Sequence, residues 1–474
     1  MIQSTAKYQI LSSSKNFSDL KLKPDLLGNL ADLGYAEMTL VQAETLPLLL
    51  AGVDVLARAK TGSGKTAAFG LGILNMLDVS SFKVQALVLC PTRELADQVA
   101  REIRRLARSI PNIKVMSVCG GAPLRDQTAS LQRSPHIIVG TPGRVHKHLR
   151  SGNIDLGSLL AFVLDEADRM LDMGFMDEID AILAYVPAKR QTLLFSATYP
   201  EAIADISRRV QCEPRTVDVT DDEQPAQIMQ TWCSVTRENR NVELVRTLRA
   251  WGGALNLVFC NTKADCAEVA RHLQSENIVA IALHGDLDQA QRNQVLVRFS
   301  NRSASVLIAT DVAARGLDVK DIDAVFNYEL PQQPEVYVHR IGRTGRAGKT
   351  GSAVSLVEER EMWRLQEIEK SLPDSLIQRR GIPDARRGDE TLVPSMTTIQ
   401  ISGGRKNKLR PGDLLGALTA QGVIPGDAVG KIDLFDNVSY VAVQNKHVSK
   451  ALQQLSDRPI KGKKYRARAR TQRE

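Results

Sequence analysis

Short apolar runs separated by helix-length amphipathic stretches dominate the first three quarters of the chain. Before residue 213 the runs include Asp54–Ala57, Ala86–Cys90, Ile137–Val139, Phe162–Leu164 and Thr192–Phe195. They are continuous rather than alternating, so each predicts a strand buried on both faces of a parallel sheet. Between them, Glu94–Leu106 places Leu95, Val99, Ile103 and Leu106 at helical spacing with charge elsewhere, a helix that lays one face on that sheet. The same grammar restarts at Leu255–Cys260, Ala280–Leu283, Ser305–Ile308 and Ala324–Phe326, with Ala264–Leu273 as an intervening helix. Two tandem α/β domains with parallel sheets follow. From Met396 the pattern changes to β (Thr397–Ile401), basic loop, helix (Pro411–Gln421), β (Val429–Leu434), β (Ser439–Val443), helix (Lys446–Leu455) and a last basic strand. That βαββαβ order predicts a small α+β domain.

Proline and charge mark the breaks. Pro214, the acidic Asp221-Asp222-Glu223 and Pro225 predict a linker at 214–225, and Pro373, Pro383 and Pro394 bracket a second at 373–394. The chain then divides into a tail (1–14), a first domain (15–213), a second (226–372) and a third (395–474). With 43% hydrophobic and 24% charged residues over 474 positions, wholesale disorder is excluded and several cores can be buried. No apolar run approaches the roughly 20 residues of a membrane span, and the N-terminus lacks a basic, then apolar, leader, which predicts a cytoplasmic protein without membrane contact. Six cysteines without a Cys-x-x-Cys pair predict reduced thiols and no bound metal. The net charge of +8 is concentrated: from Pro394 onward there are 15 Lys and Arg against 6 Asp and Glu, while the rest is near neutral. A basic terminal segment is a footprint for a polyanion, nucleic acid first among them.

Lys60-Thr61-Gly62-Ser63-Gly64-Lys65-Thr66 follows the strand Asp54–Ala57 and opens the apolar run Ala67–Met76. That is the context of a phosphate-binding loop. Gly62 and Gly64 let backbone N–H groups wrap phosphate oxygens, Lys65 can neutralise the β- and γ-phosphates, and the Thr66 hydroxyl can ligate Mg²⁺. Ala59 stands where the strict G-x-x-x-x-G-K-[ST] pattern has glycine, a residue still small enough for the turn. Phe162–Leu164 runs into Asp165-Glu166-Ala167-Asp168, placing carboxylates at the C-terminal end of a buried strand, where open α/β sheets bind ligands. An Asp there can hold Mg²⁺ through water, and the neighbouring Glu can take the proton of an attacking water, as hydrolysis of a nucleoside triphosphate requires. A chance glycine loop or a solvated helix start explains either motif alone, but poorly explains the pair.

With these residues the chain resembles the DEAD-box ATP-dependent RNA helicases, over residues 17 to 357 and in that family's motif order. The resemblance implies two tandem RecA-like domains and an RNA-dependent ATPase using ATP and Mg²⁺. It implies that Gln42, in the stretch beginning Gly34-Tyr35, reads adenine together with the upstream Phe17; Tyr35 stands where Phe is usual. An amide can meet the adenine N6 and N7 edge while an aromatic stacks on the ring. Pro91-Thr92-Arg93, Gly120-Gly121 and Thr141-Pro142-Gly143-Arg144 match RNA-backbone contacts, each at a strand end and helix start where phosphates can be held without reading sequence. Singly, helix capping explains them about as well. Ser196-Ala197-Thr198 matches the motif that couples hydrolysis to strand separation, its hydroxyls linking the carboxylates, Asp168 included, to the partner domain. In the second domain Phe259 and Arg292 match RNA-contacting or bracing positions, Thr310 an RNA phosphate contact and Asp318 a ribose contact. His339-Arg340-Ile341-Gly342-Arg343-Thr344-Gly345-Arg346 presents Arg343 and Arg346 as arginine fingers, with His339 in coupling. Such fingers are worth about 10³–10⁵ in rate in related NTPases. With the site split this way, ATP would be hydrolysed only on domain closure, which RNA bridging both domains would favour. Local unwinding of short duplexes is implied.

The third domain resembles an RRM, but its stacking platform is poor. Gln400 occupies the usual RNP2 aromatic position and Val438 one of the RNP1 positions, leaving Tyr440. Binding should rest on Arg405, Lys406, Lys408 and Arg410 with Lys461, Lys463, Lys464, Arg466, Arg468 and Arg470, which suits structured RNA gripped by shape and phosphate. Together with Gly412–Leu418 and Gly430–Leu434, this arrangement resembles the DbpA-type branch of the family. For that branch the resemblance implies a grip on a hairpin of large-subunit ribosomal RNA near the peptidyl-transferase centre, in ribosome assembly. A monomer is expected. Two rivals stand beside this reading: an RNA clamp or general chaperone without ribosomal specificity, and a DNA helicase. The presence of Lys65, Glu166, Arg343 and Arg346 disfavours a clamp that has lost turnover; RNA and DNA duplexes compared side by side separate the second.

Overall fold

The computed structural model describes residues 15–59, 62–198, 201–219, 228–314, 319, 322–345, 350–372, 377–382 and 392–470. The chain divides into two units, Met1–Pro225 and Ala226–Glu474. In the first, seven parallel strands are β1 (Val55–Arg58), β2 (Ala86–Leu89), β3 (Val115–Val118), β4 (Ile137–Gly140), β5 (Ala161–Asp165), β6 (Gln191–Ser196) and β7 (Arg215–Asp218), in the order β3-β4-β2-β5-β6-β1-β7. Successive side chains on a strand point to opposite faces. In β5, Ala161 and Val163 therefore join one core with Val55 and Val88, while Phe162 and Leu164 join the other with Leu56 and Leu87. Two cores on one sheet are the reason these strands lack polar alternation. The helix Arg93–Leu106 buries Leu95, Val99, Ile103 and Leu106 as its pattern predicts, and the Thr92 hydroxyl caps it by accepting from the Leu95 N–H.

The second unit repeats the plan. Strands β8 (Ile228–Ser234), β9 (Asn256–Phe259), β10 (Ala280–Leu283), β11 (Val306–Ala309), β12 (Ala324–Asn327), β13 (Gly351–Val357) and β14 (Gln378–Arg379) run parallel in the order β10-β11-β9-β12-β13-β8-β14. This is the first sheet's order with every number raised by seven. A separate antiparallel sheet follows: β15 (Met396–Ile401), β16 (Val429–Leu434), β17 (Ser439–Gln444) and β18 (Ala467–Arg470), ordered β16-β17-β15-β18. The helices Pro411–Thr419 and Val448–Asp457 join its inner face through Leu414, Leu418, Ala451 and Leu455. The fold is thus two tandem parallel α/β sheets and a small RRM-like domain.

Both predicted linkers contain structure. Arg215–Asp218 pairs with β1 as an edge strand, its Val217 buried and Asp218 bonded to Arg58 across the pair at 3.2 Å. Three of its four side chains face water, so it carries no apolar run to betray it. Likewise Gln378–Arg379 adds to β8, Ile377 and Leu392 are buried in the second unit, and the Arg379 guanidinium lies 5.2 Å from the Trp232 ring centroid. No helix among the described residues is long and apolar enough to cross a membrane.

Candidate nucleotide and RNA sites

Strand order sorts the candidate chemistry along the C-terminal edge of the first sheet. The ends of β5, β6 and β1 carry Asp165, Ser196 and the glycine loop; those of β2, β4 and β3 lead into Thr92, Thr141 and Gly120. The expected ATP residues and the expected RNA residues therefore occupy separate halves of one edge.

On the first half, Gly62 and Gly64 adopt φ of 94° and 100°, a left-handed backbone that glycine takes at little cost. Lys65 is buried, with Nζ donating to the Ala59 carbonyl at 2.8 Å. The Ala59 N–H in turn donates to the Ser196 carbonyl at 3.0 Å, so the loop entrance is tied to β6. Gln42 rests on the loop: its Nε2 donates to the Gly64 carbonyl at 3.2 Å, and its Oε1 accepts from the Thr39 N–H at 2.9 Å. A Cβ on Gly64 would come within 2.6 Å of Gln42 Nε2, which makes glycine obligatory twice over. Ser63 and Thr66 are half-buried on either side of Gly64 and Lys65; Thr61 lies outside the described residues.

The carboxylates divide their work. Burial pushes the Asp165 carboxyl up to about 7, against the opposing charge of Lys65 and with the added repulsion of Glu166. Its Oδ1 is buried without a hydrogen-bond partner among the described residues, an oxygen available to a cation. Glu166 pairs with Arg169 at 2.8 Å, both side chains buried. Burial would raise Asp168 too, but the Thr198 amide and the charges of Lys65 and Arg169 hold it below the usual carboxylate range. Its Oδ2 accepts from the Ala197 N–H, the Thr198 N–H and the Thr198 hydroxyl at 3.0, 2.9 and 3.0 Å, while the Ser196 hydroxyl donates to the Thr198 carbonyl at 2.7 Å. Ser196, Thr198 and Asp168 are one network.

Tyr35 is held both by its ring and by its hydroxyl. It meets Phe17 edge to face at 5.9 Å, and Phe17 itself is buried. The Tyr35 hydroxyl donates to Glu102 at 2.7 Å and accepts from Arg105 at 2.6 Å, and burial together with Glu102 pushes its pKa up to about 12. The ring thereby ties the segment before Gln42 to the far end of the helix Arg93–Leu106.

On the other half of the edge, Pro91 is buried, Thr92 caps that helix, and the Arg93 guanidinium crosses Gly120 so closely that a Cβ there would lie 2.9 Å from Nη2. Gly121 has φ 82°. Thr141 stands at the cap position of the helix Pro142–Arg150, and Arg144 turns to the glycine loop, donating to the Ala122 carbonyl and to Gln127 Oε1, both at 2.9 Å. Gln127 Nε2 donates to the Cys119 carbonyl at 2.8 Å, completing a brace beneath Gly120-Gly121.

In the second unit the Thr310 hydroxyl caps the helix Asp311–Ala314 by accepting from the Ala313 N–H at 3.4 Å, and Arg292 Nη2 donates to the Ala313 carbonyl at 3.4 Å. Arg340 is the hub. Almost wholly buried, it binds both Asp311 oxygens at 2.7 Å, Asn327 at 3.2 Å, Asn261 at 2.8 Å and the Glu329 carbonyl at 2.7 Å, and lies 5.0 Å from the Phe259 ring centroid. It locks the helix Pro334–Ile341, which carries His339 and leads into the buried Arg343. Asp318 and Arg346 lie outside the described residues.

In the small domain the two basic loops meet. Lys461 Nζ donates to the Lys408 carbonyl at 2.8 Å and pairs with Asp413 at 2.7 Å, gathering Arg405, Lys406, Lys408, Arg410, Lys463, Lys464 and Arg466 into one exposed cluster. The first loop is pinned by N–H donation from Arg405 and Lys406 to the carbonyls of Phe435 and Asp436 at 2.8 and 2.9 Å. A Cβ on Gly404 would lie 2.1 Å from the Phe435 oxygen, so only glycine lets the strands approach. On the sheet, Gln400 faces Tyr440 and Arg468 in register, and Arg470 Nε donates to Gln400 at 2.7 Å.

Family comparisons follow the same divisions. Residues 39–206 match the DEAD/DEAH box helicase model, 241–348 the helicase conserved C-terminal domain, and 398–469 the DbpA RNA binding domain. The ATP-dependent RNA helicase DbpA of Escherichia coli (strain K12) is 51% identical over 453 residues, 95% of this chain and 99% of that one. The chain belongs to the DEAD-box RNA helicases. DEAD-box ATP-dependent RNA helicase CshA of Geobacillus kaustophilus is 44% identical over 356 residues, 75% of this chain and 76% of its own. Among solved structures, S. cerevisiae Dbp5 bound to RNA and ADP BeF3 superposes with a TM-score of 0.72 at 30% identity, covering 78% of this chain and 97% of that one. As a DEAD-box helicase of DbpA type, the protein is an ATP-dependent enzyme that acts on RNA.

Several residues that shape the helicase sites escaped the sequence reading. Arg340 was one letter in a motif, although Tyr337, Arg340 and Ile341 are the buried face of their helix and a buried Arg demands an acidic partner. Gln127, Glu102 and Arg105 carry no motif at all. Only pairing across the fold reveals them.

Proposed function

We propose that this helicase couples ATP hydrolysis to local strand separation on large-subunit ribosomal RNA during ribosome assembly. The observation that carries the targeting is the single exposed basic cluster made when Lys461 joins two loops of a domain matching the DbpA RNA binding model. A compact set of cations on a pinned scaffold suits one folded RNA hairpin better than a flexible tail would.

In this reading Gln42 reads adenine, Gly62, Ser63, Gly64 and Lys65 hold the phosphates, and Glu166 takes the proton from the attacking water. Tyr35 supports Phe17 from behind, consistent with its bonds to Glu102 and Arg105. Mg²⁺ fits the donor set: the Thr66 hydroxyl and, through water, the orphaned Asp165 Oδ1 would hold it, and it would neutralise phosphate charge. Thr198, bonded to Asp168 and taking the Ser196 hydroxyl on its carbonyl, passes the state of the nucleotide to β6. Thr92, Arg93, Gly120, Thr141 and Thr310 hold RNA phosphates, with Arg144 acting through the Gly120-Gly121 loop it braces. Arg343, with Arg346, supplies positive charge to the transferring phosphoryl group.

The test is ATPase rate against no RNA, a generic single strand, total ribosomal RNA and a large-subunit hairpin with a single-stranded extension. Stimulation by the hairpin far above generic RNA is expected. Equal stimulation by all RNAs leaves a general RNA chaperone and overturns the targeting.

A further inference from the structure

We propose that the outer face of the C-terminal sheet is a docking surface for the second helicase domain, and that this domain grips RNA from the opposite end of the same sheet. The RNA half of this inference rests on the reading of the basic cluster just given.

In β15, Ile399 and Ile401 face the domain's own core, so Thr398 and Gln400 project from the outer face, where an RRM stacks its bases. Thr398 is nevertheless completely buried, and its register neighbour Ala442 nearly so. What covers Thr398 is the turn that ends the helix Gln289–Ser300. Ser303 Oγ lies 2.6 Å from Thr398 Oγ1, and Asn301 Nδ2 donates to it at 3.4 Å. The Met396 N–H donates to the Arg302 carbonyl at 3.4 Å, and Lys431 Nζ to the Ser300 hydroxyl at 3.2 Å. Asn301 and Ser303 are buried as well, so polar groups from both sides leave water together; the Thr398 hydroxyl is met by Ser303 Oγ and Asn301 Nδ2, while Asn301 Oδ1 is buried without a hydrogen-bond partner among the described residues. Tyr440, the remaining aromatic of the platform, is itself buried, with Phe435 set edge-on at 5.8 Å.

Direction along the strand completes the picture. Docking uses its first residues, Met396 and Thr398, whereas the basic loop begins after its last, Ile401, beside the start of β18 that follows Lys461–Arg466. The domain is a strut with the second helicase domain at one end and the cationic grip at the other. An RNA hairpin held by the grip has a fixed direction relative to Thr310 and Arg343, which no tether of flexible chain would give.

The test uses the full chain carrying Cys212→Ser, Ser303→Cys and Thr398→Cys, oxidised to lock the docked pair. Two RNAs serve as probes: a large-subunit ribosomal hairpin and an unrelated duplex of equal length. Efficient cross-linking without RNA, with hairpin affinity unchanged within about twofold after locking, is expected, because the cations carry the binding. Failure to cross-link, or loss of RNA binding on locking, overturns docking. In the unmodified chain the Met396 amide, which donates to Arg302 and not to a neighbouring strand, should exchange slowly with and without RNA, and fast exchange at that one amide overturns docking even if the cysteine variant misfolds. Tyr440→Ala gives a further check: a stacking platform would lose about tenfold in affinity, a docked face little. If both RNAs bind equally while the lock forms and is tolerated, ribosomal targeting fails and docking stands.

Discussion

Glu166 holds φ 55° and ψ 53°, a left-handed conformation that costs a non-glycine residue about 1 kcal/mol. The strain is maintained by its buried pair with Arg169 and sets the carboxylate between β5 and the following helix. Glu166→Gln is therefore expected to slow hydrolysis at least about a hundredfold while ATP and RNA still bind, and to lower the melting temperature through the lost ion pair. Single-turnover hydrolysis beside nucleotide titration measures both, and an unchanged chemical step would remove Glu166 from the role of base. Its neighbour predicts a pH dependence. Asp165 titrates near 7 in the folded protein but about 3.9 when unfolded, so the native state binds the extra proton between those values. The stability this group contributes is full below about pH 4 and is lost as pH rises through 7. In calorimetry without nucleotide, the parent's melting temperature should fall more between pH 5 and 8 than that of Asp165→Asn; parallel curves would mean that Asp165 is ionised throughout.

At the scale of elements, the strand order β3-β4-β2-β5-β6-β1 separates the residues proposed for phosphate chemistry from those proposed to hold RNA, and the helix Arg93–Leu106 runs from the second set. The helix Arg93–Leu106 presents Arg93 at one end and takes the Tyr35 hydroxyl at the other, so disturbing either end should be felt as altered coupling rather than unfolding. Gly120→Ala pushes a methyl group against the flexible end of Arg93, and the expected result is severalfold weaker RNA binding with an unchanged melting temperature. Unchanged RNA affinity would take Arg93 out of the interface. The buried strands were legible because each must be apolar on both faces, and the glycine loop because its pattern is local in sequence. The edge strand Arg215–Asp218 was not, since its exposed face reads like a linker and only Val217 marks the inside. The bonds of Tyr35 were not legible for a related reason: its hydroxyl meets Glu102 and Arg105, residues far along the chain that leave no signature near it. The two basic loops were each visible, but their union through Lys461 was not, because the bond joins residues 53 positions apart.

For the whole molecule, charge and chemistry are segregated. The residues before Pro394 are near neutral in sum while the terminal segment holds the excess of basic groups, so catalysis and long-range attraction for RNA can be varied separately. Arg343→Gln should reduce RNA-stimulated turnover by about 10³ or more with affinities for ATP and RNA retained. A parallel loss of ATP binding would make it a ground-state contact instead. The complementary change is Lys406→Ala with Lys463→Ala, one cation from each of the joined loops. Each phosphate contact contributes about 0.7–0.9 to the slope of log affinity against log salt, so the pair should flatten the slope for the hairpin by about 1.4–1.8, leaving the ATPase rate at saturating RNA untouched. A generic single strand held by the helicase domains alone should show the same slope for parent and variant. If instead the variant loses affinity with the slope intact, the loops read the hairpin's shape without touching phosphate; if the single strand is weakened equally, the basic end attracts any RNA and directs the helicase nowhere in particular.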